Sequence, residues 1–282
     1  MYDVIHKHSA YNTVCIHTNN FTRMLSKSLV RILANDETLT TLNYKRNYMG
    51  PNGVRLLVNA LFKNTHVLSL NLRGNSLFDD GALIVAELLA KDTNLQHLNL
   101  RCNTIIDEGF KALANALVNN THLQTLNLNY NSVDNSALGS LVTALAQNTC
   151  LRTLEMKCNS IDSKGACNIA EALAKNNCLQ TLNLKFGTIG EIGAYAIAGA
   201  LTANTCLQAL NIKKNYIGIN GARALQAVNG ERMREYENAK MVLLMGYVGR
   251  MEQSPMYLLP GDASIFKCIL KLIRPNTIIV KF

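Results

Sequence analysis

The chain has 282 residues, 48% of them hydrophobic and 17% charged, a globular composition that excludes a disordered or collagen-like chain. Its formal net charge of +9 favours acidic partners, whether an acidic protein face, nucleic acid or an anionic membrane. Eight cysteines without a single CxxC pair argue against a zinc finger or a thioredoxin-like motif and suit free thiols in a reducing, cytoplasmic compartment.

The opening segment, MYDVIHKHSAYNTVCIHTNN, lacks the apolar core of a conventional signal peptide. Within it Tyr11, Val14, Ile16 and Asn19 read as a degenerate copy of a pattern that becomes regular further on. Residues 1–38 are therefore expected to form an N-terminal capping repeat, since the terminal units of repeat arrays are atypical.

From Leu39 the pattern L-x-x-L-x-L-x-x-N recurs without slip, at Leu39, Val67, Leu95, Leu123, Leu151, Leu179 and Leu207, each 28 residues after the last. The alternation in its L-x-L part predicts a short strand with its leucines turned inward. The asparagine that follows occupies Asn47, Asn75, Asn103, Asn131, Asn159 and Asn215, with Gly187 in its place once. A second column, Gly53, Gly81, Gly109, Ala137, Gly165, Gly193 and Gly221, opens a stretch with helical spacing, as in Ala166, Ile169, Ala170 and Leu173. Asn64, Asp92, Asn120, Asn148, Asn176 and Asn204 follow these helices and read as C-terminal turns. Residues 39–228 are expected to be a seven-repeat solenoid.

The stretch LNLRCNTIIDEGFKALANALVNNTHLQTLNL resembles the ribonuclease-inhibitor subfamily of leucine-rich repeats, and the likeness runs from about residue 11 to 228. The resemblance implies an α/β solenoid, a horseshoe with a parallel sheet on its concave face and helices on its convex face. It implies a buried ladder of asparagine side chains, broken at Gly187. It also implies a protein–protein interaction scaffold rather than an enzyme, with no cofactor. A short repeat protein of this kind is also similar to effectors that bacteria deliver into host cells.

After Gln226 the pattern fails, and residues 229–282 read as a C-terminal helical cap or tail that ends in a short strand. Its segment Leu259, Pro260, Asp262, Ile265, Ile269 and Leu270 is faintly similar to the opening of an F-box, which leaves a ubiquitin-ligase adaptor as an alternative. Met241 to Val248 is far too short to span a bilayer.

The residue after the third apolar position is basic in six of the seven repeats: Lys45, Arg73, Arg101, Lys157, Lys185 and Lys213, with Asn129 as the exception. Strands about 4.8 Å apart would set these side chains in an exposed positive stripe, and like charges so ranked repel, which folding alone does not explain. Arg46 and Lys214 widen the stripe at its ends, while the flanking column is neutral apart from Glu155. Tyr130 and Phe186 stand beside it, and aromatics among cations make either a protein hot spot or a stacking platform for single-stranded nucleic acid. An acidic protein is the expected partner; nucleic acid ranks lower because aromatics are only 6% of the chain.

No G-x-S-x-G, H-E-x-x-H or P-loop occurs, and His66, His97 and His122 fall in different columns, so neither catalysis nor metal binding is expected. Similarity to Ran GTPase-activating protein leaves GTPase activation as the one enzymatic alternative, with Arg73 and Arg101 on the relevant surface.

Overall fold

A strand of three residues cannot stand alone, because its single inward leucine buries too little apolar surface; stacking on an identical neighbour is what stabilises it. The strands β1 (Thr41–Asn43), β2 (Ser69–Asn71), β3 (His97–Asn99), β4 (Thr125–Asn127), β5 (Thr153–Glu155), β6 (Thr181–Asn183) and β7 (Ala209–Asn211) are built this way. They pair in parallel and in chain order, one repeat per step, so that Leu42, Leu70, Leu98, Leu126, Leu154, Leu182 and Leu210 form one buried file. An eighth strand, β8 (Ile279–Lys281), pairs in parallel with β7 in the segment where the tail was expected to end in a strand.

This computed structural model describes Leu25, residues 27–91 and 93–231, and the backbone of Ile279–Lys281. The degenerate repeat around Tyr11 and Asn19 and the F-box-like segment around Leu259 and Pro260 lie outside the described residues.

Helices alternate with the strands: α1 (27–33), α2 (Gly50–Leu61), α3 (Phe78–Ala90), α4 (Asp107–Leu117), α5 (Leu138–Gln147), α6 (Ser163–Lys175), α7 (Gly190–Ala203) and α8 (218–231). The result is an open α/β solenoid with one core running its length. Packed helices need about 8–10 Å between axes and paired strands only about 4.8 Å, so the sheet must line the inner, concave side. The glycine column lets the helices approach. A Cβ placed on Gly193 would sit 2.7 Å from Ala166 Cβ in the preceding helix and 2.6 Å from Ile189 Cγ2.

Two asparagine ladders hold the repeats together. In the expected one, Asn103 Nδ2 donates to Leu72 O at 3.0 Å and Leu100 O at 2.9 Å, while its Oδ1 accepts from Asn75 N at 2.8 Å. Asn75, Asn131, Asn159 and Asn215 repeat the pattern of donation to two carbonyls, one in each of two adjacent repeats. Gly187 breaks it: its N–H donates to Asn215 Oδ1 at 2.9 Å, but it has no amide to reach back.

The second ladder runs behind the helices, where only turns were expected. Asn148 Nδ2 donates to Leu117 O at 2.7 Å and its Oδ1 accepts from Leu151 N at 2.8 Å. Asn64, Asn120, Asn176 and Asn204 do the same, and all are buried. Buried backbone groups that strand and helix leave unpaired are met here by side chains.

Candidate binding surface

The basic column stands two residues beyond the end of each strand, and its backbone is pinned twice. The residue after each basic position has left-handed backbone, at Arg46, Gly74, Cys102, Tyr130, Cys158, Phe186 and Lys214. Its N–H donates to the carbonyl of the basic position in the next repeat, as from Gly74 to Arg101 at 2.9 Å and from Phe186 to Lys213 at 3.0 Å. The N–H of the basic residue itself donates to the asparagine two residues before it: Arg73 to Asn71 at 3.1 Å, Arg101 to Asn99 at 3.0 Å, Lys185 to Asn183 at 3.1 Å. The neutral column therefore has a task of its own. It presents the basic side chains at a fixed height above the sheet.

The single exception falls at Lys157, where Glu155 replaces that asparagine. There Asn129 of the preceding repeat accepts from Lys157 N through Oδ1 and donates to Glu155 Oε2 at 3.2 Å. Asn183 donates to the same carboxylate oxygen at 2.8 Å.

The side chains are not all exposed, which corrects the sequence-based expectation. Lys45 and Lys213 are exposed, whereas Arg73, Arg101, Lys157 and Lys185 are half-buried and Asn129 is buried. Aromatic neighbours account for much of this. Arg101 Cζ lies 4.4 Å from the centroid of the Tyr130 ring, and Lys157 Nζ lies 5.0 Å from the same ring. Lys157 Nζ is also 5.2 Å from the Phe186 ring, and Lys185 Nζ is 4.5 Å from it. The order Arg101, Tyr130, Lys157, Phe186, Lys185 is thus one continuous row in which two rings space three cations. Cation–π contacts contribute about 0.5–1 kcal/mol each at exposed sites, enough to restrain long side chains that would otherwise be free.

Among the described residues no ion pair reaches this row. The ion pairs lie elsewhere: Arg31 with Asp36, Arg55 with Glu87, Lys111 with Glu108 and Lys175 with Glu171. The Arg101 guanidinium lies on the Tyr130 ring, and its Nε is buried. Among the described residues there is also no group of three or more metal-ligating side chains, and no helix is long and apolar enough to cross a membrane.

The cysteines of the described residues are all free. Cys178 is buried, with its Sγ donating to Asn148 O at 3.2 Å and Leu151 O at 3.3 Å, and burial pushes its thiol pKa up. Cys158 is half-buried within the left-handed column, and Cys167 is exposed on α6.

A family model described as Leucine Rich repeat agrees with this architecture and matches residues 63–84, 91–114, 119–142, 147–170, 175–198 and 203–225. No curated protein matches the chain. Among solved structures, the actin-binding site 2 of leiomodin-1 is similar at 16% identity and a TM-score of 0.36, covering 78% of this chain and 96% of that one. The tropomodulin C-terminal domain of Caenorhabditis elegans is similar at 13% identity and a TM-score of 0.35, covering 78% of this chain and 98% of that one.

Proposed function

The chain belongs to the leucine-rich-repeat family, and we propose that it is a non-catalytic scaffold that binds an acidic protein on its sheet face. The residues we assign to that contact are Lys45, Arg73, Arg101, Tyr130, Lys157, Lys185, Phe186 and Lys213. The unbroken 28-residue register favours the ribonuclease-inhibitor type of repeat, with residues 1–38 and 229–282 as its caps. Free thiols suit a reducing compartment, either the cytosol of the producing cell or that of a host receiving the protein.

One observation carries the reading: Arg101, Lys157 and Lys185 are held in a row by Tyr130 and Phe186, with no ion pair among the described residues to offset their mutual repulsion. Ranking like charges costs folding energy, and an acidic ligand recovers it on binding. Fixed cations also bind with less loss of side-chain entropy than free ones. The rings themselves already lie against two cations each, which leaves little open face for stacked bases and favours protein over nucleic acid.

Titration with fluorescent poly-glutamate tests the reading. Wild type should bind, more weakly as salt rises. The variant Arg101→Gln/Lys157→Gln/Lys185→Gln should lose affinity about tenfold or more. Unchanged binding by a variant whose circular dichroism is intact would overturn the assignment.

A further inference from the structure

At one end the row meets a cleft of about 600 Å³, lined by Phe186, Gly187, Tyr216, Lys214, Ser160 and Thr188 among others. The cleft forms between the left-handed position of one repeat and the position immediately after the asparagine ladder of the next. Along the solenoid those pairs are Arg46 with Ser76, Gly74 with Thr104, Cys102 with Ser132, Tyr130 with Ser160, Cys158 with Thr188, and Phe186 with Tyr216. Only the last sets two aromatic rings across one opening.

Both rings are carried on strained backbone and left open. Phe186 has φ +63° and Tyr216 φ +54°, a region that favours glycine and short polar residues. Phe186 is 43% exposed and Tyr216 83% exposed, the most exposed large apolar side chain among the described residues. The floor between them has no room for a side chain: a Cβ on Gly187 would come within 2.7 Å of both Asn215 Oδ1 and Ile161 O. The one repeat that lacks its ladder asparagine is the one with this opening. Ser160 and Thr188 supply hydroxyls, and the Lys214 and Lys185 ammonium groups stand at the opening and on the Phe186 ring.

We infer that this cleft anchors the acidic partner by taking a tyrosine side chain flanked by carboxylates. The phenol ring packs edge-to-face against Phe186 and Tyr216, its hydroxyl reaches Ser160 or Thr188, and the flanking carboxylates meet Lys185 and Lys214. A nucleobase would need an open ring face, and Phe186 already carries Lys157 at 5.2 Å and Lys185 at 4.5 Å. A phenol that turns its own face to the edge of Phe186 does not. The inference rests on the acidic-partner reading above, and its test separates the two.

Three probes are titrated against wild type and Tyr216→Asn, asparagine being tolerant of left-handed backbone: a glutamate–tyrosine copolymer, a glutamate–alanine copolymer of equal charge and length, and polyuridylate. The glutamate–tyrosine polymer should bind wild type about tenfold more tightly than the glutamate–alanine polymer, and Tyr216→Asn should erase that difference while leaving glutamate–alanine binding unchanged. The bound glutamate–tyrosine polymer should also slow iodoacetamide alkylation of Cys158, next in sequence to Asn159 of the cleft lining, but not of Cys167 on α6. Equal affinity for the two acidic polymers, or tight binding without Cys158 protection, overturns the pocket and leaves the basic row standing. Binding of neither acidic polymer overturns both. Tighter binding of polyuridylate than of glutamate–tyrosine overturns the protein partner in favour of nucleic acid.

Discussion

Asn129 Nδ2 donates to Glu155 Oε2 at 3.2 Å, across one step of the sheet. Asn129 stands where every other repeat is basic, and Glu155 stands where every other repeat has asparagine. The two departures are one exchange: Asn129 takes over from position 155 the task of accepting from Lys157 N.

That exchange makes the pair energetically coupled. Asn129→Ala should cost about 2 kcal/mol, because it leaves the Lys157 N–H without its acceptor. In a Glu155→Asn background the same change should cost clearly less, since the amide introduced there can accept from Lys157 N as Asn71 and Asn99 do for their own basic residues. Urea unfolding of the four proteins gives the coupling, expected at about 1 kcal/mol or more; additive effects would sink this account.

The strand-side asparagine ladder predicts an asymmetry between losing a rung and adding one. Asn103→Ala leaves the Asn75 N–H unpaired in the interior and takes one of the two asparagine amides from each of Leu72 O and Leu100 O, and should destabilise by about 2 kcal/mol. Gly187→Asn should not return a comparable gain, because its Cβ meets Ile161 O and Asn215 Oδ1. A rise in Tm for Gly187→Asn would show that the backbone there yields more easily than its contacts imply.

Helix packing predicts that Gly193→Ala is harmful although alanine is the better helix former. The added methyl meets Ala166 Cβ at 2.7 Å, and overpacking of this kind costs about 1–3 kcal/mol. Gly199, in the same helix with open space around its Cβ position, is the control. Gly199→Ala should be neutral or mildly stabilising, and the two should differ clearly in a thermal melt.

Cys178 predicts a pH effect with a definite sign. Burial, the largest cause, raises its thiol pKa above the ordinary 9.0. A raised folded-state pKa gives stability that is complete below the unfolded value and lost as pH climbs through the folded value. Stability should therefore fall on the alkaline side, and Cys178→Ala should flatten that limb. Below it, alkylation followed by mass spectrometry should modify exposed Cys167 well before Cys178.

The register and the asparagine column with its gap at Gly187 were legible in the sequence because each depends on one residue type recurring at one spacing, and the resemblance to other repeats of this kind implied that the column forms a ladder. The second ladder was legible only as turns: an asparagine after a helix has a local explanation, and nothing in a single repeat shows that Asn148 reaches Leu117. The basic column was legible by residue number. Its half-burial was not, because that depends on Arg101 and Lys157 folding over rings 29 residues away. Tyr130 and Phe186 could be picked out as neighbours of the column. Tyr216 could not, since its value comes from facing Phe186 across a repeat boundary.

The register without insertions has one more consequence. Lys45 and Lys213 stand six sheet steps apart, about 29 Å at about 4.8 Å per step. An extended peptide advances about 3.3 Å per residue, so one shorter than about nine residues cannot touch both ends. Longer ligands gain contacts one repeat at a time, each new one effectively intramolecular once the first is made. The surface is thus a ruler with evenly cut divisions, and it grades ligands by reach as well as by charge.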